Sequence, residues 1–107
     1  MSQIFTNDNF EEEVIEKSKI KPVLIDFFAE WCGPCVAMAP ILNELSEAIG
    51  DKAEIGKIDV DASREIAGKY GIMSIPAIKI FKDGKVVEET VGLQPMENLK
   101  EMLEKHL

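Results

Sequence analysis

The run Val23-Leu24-Ile25-Asp26-Phe27-Phe28 constrains the fold most, because five of its six residues are apolar and several favour β-strands. Strands of a parallel sheet have nearly continuous apolar sequences of this kind when helices cover both faces of the sheet. Pro22 precedes the run and suits the start of a strand better than its middle. We therefore expect a central strand over 23–28 in a protein of the α/β class.

The segment after this strand has the periodicity of a long helix. Apolar residues recur at helical spacing from Pro34 until Gly50, where the helix is expected to stop: Met38, Ile41, Leu42, Leu45 and Ile49. Pro40 lies inside this segment, where its missing N–H and its ring predict a kink.

The remaining patterns predict further helices and strands around the central strand. Thr6 to Asn9 can cap a first helix that buries Phe10, Val14 and Ile15. We expect strands over 53–60 and 77–81, a helix over 63–70, a hairpin over 82–91 turning at Asp83-Gly84, and a last helix that starts at Pro95 and buries Met96, Leu99, Leu103 and Leu107. The strand–helix–strand order requires a parallel pair, and the hairpin adds antiparallel strands. These elements predict a three-layer α/β sandwich with a central mixed sheet, as one domain over residues 1–107.

The charge of the chain narrows the classes of partner. With 20 acidic and 12 basic residues, the formal net charge is −8, which removes the usual electrostatic basis for binding nucleic acid or an anionic membrane surface. Residues 1–8 do not resemble a secretion signal, and no apolar run is long enough to span a bilayer. We therefore expect a cytoplasmic protein, in which two cysteines serve catalysis or metal binding rather than a structural disulfide.

The two cysteines lie in Trp31-Cys32-Gly33-Pro34-Cys35, where the central strand gives way to the long helix. Near the helix cap, Cys32 would face the unpaired amides of the first turn, which together with the helix dipole lower the pKa of a thiol. Cys35, one turn further, would be the shielded partner. Pro34 suits the first turn and stiffens the ring that a Cys32–Cys35 disulfide closes. The pattern predicts a redox-active dithiol.

The cysteine pair has three other interpretations. A structural zinc site needs four ligands, and only His106 adds to the two cysteines within one chain. Attachment of haem needs a histidine directly after the second cysteine, where Val36 stands instead. A pair of inert cysteines stays open as long as only the two cysteines are considered. No metal is expected.

The segment Asp26-Phe27-Phe28-Ala29-Glu30-Trp31-Cys32-Gly33-Pro34-Cys35 resembles the active-site segment of the thioredoxin family. The resemblance spans nearly the whole chain. It extends to the helix proline, the cis-proline, the hairpin turn and the late glycine of the family: Pro40, Ile75-Pro76, Lys82-Asp83-Gly84 and Gly92. It implies the thioredoxin fold and a thiol-disulfide oxidoreductase that reduces protein disulfides through a mixed-disulfide intermediate.

Asp26 is the charged residue of the central strand. A buried, unpaired carboxylate is costly, so its pKa should rise until it accepts a proton near neutral pH. A strand that turns Asp26 toward water is the alternative. The resemblance implies that Asp26 helps to deprotonate Cys35, and that Lys57 on the neighbouring strand faces Asp26. An ordinary exposed strand lysine is the alternative for Lys57.

The resemblance also implies a surface on which partner proteins dock. A cis peptide before Pro76 would present the backbone of Ile75 beside the cysteines, where an extended client segment can pair with it. The expected docking surface is modest and apolar, with Met73 at its border. It consists of Trp31, Gly33, Pro34, Ile75, Pro76, Val91 and Gly92.

The partners implied by the resemblance complete the functional hypothesis. Cys32 would attack a client disulfide, Cys35 would resolve the mixed disulfide, and a flavin-containing thioredoxin reductase would reset the pair with electrons from NADPH. Clients would include ribonucleotide reductase, peroxiredoxin and methionine sulfoxide reductase. We expect a monomer with no bound cofactor. Two alternatives are a binding module independent of redox state, and an oxidase or isomerase of the same fold.

Two residues depart from the usual pattern of the family. Phe28 stands where related proteins often carry tryptophan, which leaves Trp31 as the single indole of the chain. Val36 stands where many relatives have a basic residue, so one cation that could stabilise the Cys32 thiolate is missing. The packing behind the cysteines and the redox potential therefore cannot be carried over from the family.

Overall fold

The computed structural model describes residues 3–107 and is built on a five-stranded mixed sheet. Its strands lie in the order β1-β3-β2-β4-β5. Their bounds are Gln3–Phe5 for β1, Val23–Phe28 for β2, Glu54–Asp59 for β3, Ala77–Lys82 for β4 and Lys85–Val91 for β5. β2 pairs in parallel with β3 and antiparallel with β4, so the predicted central strand lies in the middle of the sheet. The predicted thioredoxin-type α/β fold is confirmed.

Helices cover both faces of this sheet. The α-helices are α1, Gly33–Ile49, α2, Arg64–Lys69, and α3, Met96–Glu104. The predicted first helix is present as a π-helical turn, Glu11–Glu16, followed by a 3₁₀ turn, Lys17–Lys19. We call these two turns the N-terminal helical segment. α1 continues through Pro40, and the kink expected there stays a prediction.

Alternation along β2 divides the core into two layers. Leu24 packs in one cluster with the buried side chains of α1 and α3: Met38, Leu42, Leu45, Leu99 and Leu103. Val23, Ile25 and Phe27 point to the other face and pack with Phe10, Val14, Ile58 and Ile66. Because side chains alternate along a strand, Asp26 shares the face of Leu24 and lies on the side of the sheet that α1 covers.

Two details differ from the sequence-based expectations. The strand β1 was not predicted, because three residues are too few to show an alternating pattern; it pairs in parallel with β3, where a Cβ atom at Gly56 would lie 2.6 Å from the Gln3 carbonyl oxygen. The expected burial of Leu107 is wrong. The helix α3 ends at Glu104, so helical periodicity stops before Leu107, which is 51% exposed.

Ser18 joins the predicted hairpin turn to the N-terminal helical segment. Asp83 and Gly84 both have positive φ, 54° and 83°, as expected of a tight turn between β4 and β5. The buried Ser18 hydroxyl accepts a hydrogen bond from the Gly84 N–H at 2.8 Å and donates one to the Ile15 carbonyl at 2.7 Å. The Ser18 carbonyl accepts from the Asp83 N–H at 2.9 Å.

Replacing Ser18 with alanine should therefore destabilise the protein. The partly buried Gly84 N–H loses its acceptor and the Ile15 carbonyl loses its donor, which should lower the free energy of unfolding by about 1–2 kcal/mol. Urea unfolding followed by tryptophan fluorescence measures this loss, with the exposed Ser74→Ala as the matched control. A change for Ser18→Ala as small as that for the control would contradict the assigned contact.

Candidate active site

The two cysteines form a disulfide at the N-terminus of α1. Cys32 is the N-cap residue with extended backbone angles, and Pro34 lies in the first turn of the helix. The Cα atoms of Cys32 and Cys35 are 5.2 Å apart. The Cys35 N–H donates a hydrogen bond to Cys32 Sγ at 3.2 Å. An N–H directed at this sulfur would also stabilise a Cys32 thiolate after reduction.

The disulfide is largely enclosed. Both cysteines are 5% exposed and pack against Ala29, with Phe28, Val60 and Ile75 partly buried around them. Cys32 Sγ lies 3.9 Å from the carbonyl oxygen of Ile75. Cys32 is therefore the cysteine that lies beside the main chain preceding Pro76.

Asp26 is buried within the sheet on the face that α1 covers. Its side chain is 2% exposed, and its Oδ1 atom has no hydrogen-bond partner among residues 3–107. Burial raises the pKa of Asp26 from 3.8 to about 7, although the positive charge of Lys57 acts in the opposite direction. A strand that turns this carboxylate toward water does not fit this burial, and Asp26 can exchange a proton near neutral pH.

Lys57 lies directly beside Asp26 on β3, because the two residues are partners in the parallel register of β2 and β3. Its Nζ atom lies 4.9 Å from the centre of the Phe28 ring. Lys57 and Cys35 also line a common cleft of about 250 Å³, together with Phe28, Ala29, Glu30, Val36 and Ala39. Both residues that depart from the family pattern, Phe28 and Val36, therefore border the cleft behind the disulfide.

The residues of the expected docking surface lie partly at the start of α1 and partly around the bend at Pro76. The peptide bond between Ile75 and Pro76 is cis. The N–H of Gly92 donates to the Pro76 carbonyl at 2.8 Å, which ties the end of β5 to this bend, and Gly92 has a φ of 94° that favours glycine. Trp31, Met73 and Val91 are exposed, as are Gly33 and Pro34.

One contact of the site was not anticipated from the sequence. The indole N–H of Trp31 donates to Asp61 Oδ2 at 2.8 Å. Asp61 follows β3, and the carboxyl ends of the parallel strands β2 and β3 meet at the same edge of the sheet. That shared edge was the available signal, because it brings the residues after β3 close to those after β2.

The structure separates His106 from the cysteines. Its Nε2 atom lies 3.2 Å from Glu88 Oε2 on β5. Among residues 3–107, no group of three or more His, Cys, Asp or Glu side chains is arranged to hold a metal ion. Within the same residues, no helix combines the length and apolar character needed to cross a membrane.

Comparison with known proteins gives one family. The family model described as Thioredoxin matches residues 1–105. A thioredoxin of Bacillus subtilis (strain 168) is 58% identical over 85 residues, which cover 79% of this chain and 82% of the relative. A thioredoxin of Staphylococcus haemolyticus is 49% identical over 102 residues, covering 95% of this chain and 94% of the relative. A thioredoxin of Staphylococcus aureus is 54% identical over 84 residues, or 78% and 81% of the two chains.

The match to the family, the identity to its members and the paired cysteines at a helix N-terminus agree with one another. Such a cysteine pair alternates between a dithiol and a disulfide: the dithiol is oxidised to the disulfide when it reduces a disulfide of another protein. The chain therefore belongs to the thioredoxin family, and it is a thiol-disulfide oxidoreductase of the protein disulfide reductase type.

Proposed function

We propose that Cys32 is the attacking cysteine and Cys35 the resolving cysteine of a protein disulfide reductase. The observation that carries this assignment is the hydrogen bond from the Cys35 N–H to Cys32 Sγ, at the start of a 17-residue helix. An amide donor and the positive end of a helix dipole both favour negative charge on the first sulfur. Cys32 is thus the cysteine whose thiolate is stabilised before any client arrives.

The reaction consists of two exchanges. The Cys32 thiolate attacks one sulfur of a client disulfide, and the other client sulfur leaves as a thiolate. The Cys35 thiolate then attacks Cys32 Sγ in this mixed disulfide, which releases the second client thiolate and forms the Cys32–Cys35 disulfide. Two electrons pass from the protein dithiol to the client.

We propose that Asp26 is the base that accepts the proton of the Cys35 thiol. A general base works best when its pKa is close to the working pH, and the pKa of Asp26 is raised to about 7. Asp26 shares its sheet face with Leu24, which packs in one cluster with Met38 of α1, the helix that also carries Cys35. Lys57, as the register partner of Asp26, limits the rise of this pKa and so tunes the base.

Clients are proposed to bind at the docking surface as an added strand. Neither the N–H nor the carbonyl group of Ile75 is paired with another backbone group of residues 3–107. An extended client segment could use these groups to bring its disulfide beside Cys32, since the Ile75 carbonyl lies 3.9 Å from Cys32 Sγ. Main-chain pairing accepts many sequences, which suits a reductase with several clients.

The wider setting follows from the family. We propose that a thioredoxin reductase supplies electrons that originate from NADPH, and that clients include ribonucleotide reductase, peroxiredoxin and methionine sulfoxide reductase. We propose the cytoplasm as the compartment, because reducing conditions there keep such a pair in use as a catalyst. We further propose that the protein acts as a monomer and that residues 1–107 form a single domain.

Reduction of insulin tests this function. With dithiothreitol as the electron source, the protein should accelerate the precipitation of insulin chains, and the double variant Cys32→Ser, Cys35→Ser should not. No acceleration by the intact protein would instead favour the redox-independent binding module. Equilibration with glutathione then tests the oxidase alternative, which requires a reduction potential markedly less negative than that of a reductase.

A further inference from the structure

The exposed indole of Trp31 is fixed by one hydrogen bond. The side chain is 73% exposed, yet its Nε1–H donates to Asp61 Oδ2 at 2.8 Å, a contact between residues 30 positions apart. Exposed side chains exchange rotamers freely when nothing fixes them, because water satisfies their polar atoms equally well. A direct bond to a carboxylate therefore restricts the ring that directly precedes Cys32 in the chain.

Asp61 is itself fixed to the sheet. Its N–H donates to Asp59 Oδ1 at 2.9 Å, and the N–H of Ala62 reaches the same oxygen at 3.3 Å. Asp59 ends β3 in register with Phe28 at the end of β2. The next residue extends this pairing, because the Val60 N–H donates to the Phe28 carbonyl at 2.9 Å. The carboxylate that holds Trp31 is therefore placed by the same two strands that place the cysteines.

We propose that Asp61 is a positioning residue that orders Trp31 for protein clients. By holding the ring beside Cys32 before a client arrives, Asp61 removes part of the ordering cost that the client would otherwise meet on binding. Clients large enough to contact the ring should gain affinity from this contact. A small disulfide that reaches Cys32 without touching the ring should gain nothing. The inference rests on the proposed docking surface and goes beyond it by naming what orders it.

Asp61→Ala is the direct test. Its KM for insulin should rise by about 3-fold to 10-fold, the range expected when one large side chain must be ordered on binding. Its kcat should stay within about twofold of the wild-type value, as should its rate of oxidation by the neutral bis(hydroxyethyl) disulfide. Asp61→Asn keeps a carbonyl oxygen that can accept the indole hydrogen bond, so it should recover most of the wild-type KM.

A matched control separates the contact from the loss of charge. Asp51 is also exposed and follows the other end of α1, about 25 Å from Cys32 along a helix of 17 residues. Asp51→Ala should leave the KM for insulin unchanged. A rise for Asp51→Ala as large as that for Asp61→Ala, or a failure of Asp61→Asn to recover the KM, would assign the effect to charge and overturn the proposal.

Trp31→Phe removes the other half of the hydrogen bond and keeps an aromatic ring. If the bond is the cause, Trp31→Phe and the double variant Trp31→Phe, Asp61→Ala should share one raised KM, whereas additive losses would overturn the proposal. Because Trp31 is the single tryptophan, the wild type has one indole N–H resonance. Its chemical shift should change in Asp61→Ala, which removes the hydrogen-bond acceptor, and should keep the wild-type value in the control Asp51→Ala.

The proposal and the proposed function fail in different ways. If wild-type protein does not reduce insulin, the function is wrong. If wild-type protein and Asp61→Ala reduce insulin with the same KM, the function stands and the role of Asp61 is refuted.

Discussion

Cys35→Ser should convert the protein into a trap for its clients. Cys32 can still attack a client disulfide, but the serine hydroxyl cannot displace the client, because it is not ionised near neutral pH and cannot form a disulfide. The mixed disulfide should therefore accumulate, and multiple-turnover reduction of insulin should fall by about 1,000-fold or more. Non-reducing electrophoresis and mass spectrometry of the variant incubated with insulin measure the adduct.

Cys32→Ser should lose turnover to the same extent without forming the adduct. The asymmetry cannot come from burial, because both cysteines are 5% exposed. It must come from the positions of the two cysteines. Cys32 Sγ accepts a hydrogen bond from the Cys35 N–H and lies beside the Ile75 carbonyl. Cys35 instead lines the cleft that it shares with Lys57. The double variant is the control for non-specific adducts. An adduct that forms on Cys32→Ser and not on Cys35→Ser would reverse the two roles.

Much of the fold could be predicted because its signals are local. The run at β2, the periodicity of α1 and the Asp83-Gly84 turn each need only neighbouring residues, and all three are present. β1 could not be predicted, because its three residues form a strand only by pairing with β3. The burial of Leu107 was overestimated because the periodicity of α3 was extended beyond the point where the helix ends.

The candidate site likewise has features that the sequence alone could predict and features that it could not. The cysteine pair and the carboxylate in an apolar strand are visible in short segments of sequence. The position of Lys57 beside Asp26 depends on the register of β2 and β3, for which the sequence offered only the family resemblance. The bond between Trp31 and Asp61 joins two loops, and the cleft behind the disulfide depends on how Phe28, Val36 and Lys57 pack. Such features depend on contacts between residues that are far apart in the sequence, so they could not be predicted from it.

Asp26 should make the stability of the oxidised protein depend on pH. The pKa of Asp26 is about 7 in the folded protein and has its ordinary value of 3.8 when the chain is unfolded. Between these values the folded state holds a proton that the unfolded state has released. Stability contributed by this group is therefore full below about pH 4, falls as the pH rises toward 7 and is constant above it. The loss amounts to about 4 kcal/mol, at about 1.4 kcal/mol for each pH unit.

Asp26→Ala removes this titrating group. A substitution in the core usually lowers the free energy of unfolding, but at high pH this variant should be more stable than the wild type. The difference in free energy of unfolding between the variant and the wild type should shift in favour of the variant by about 4 kcal/mol from pH 4 to pH 8. The free-energy cost of the cavity left by the substitution is nearly independent of pH, so it cancels when the differences at pH 4 and pH 8 are compared. Urea unfolding of the oxidised forms at several pH values measures it, with the exposed Asp51→Ala as control. Parallel curves for Asp26→Ala and the wild type would mean that Asp26 titrates as an ordinary surface carboxylate, which would also remove it as the base for Cys35.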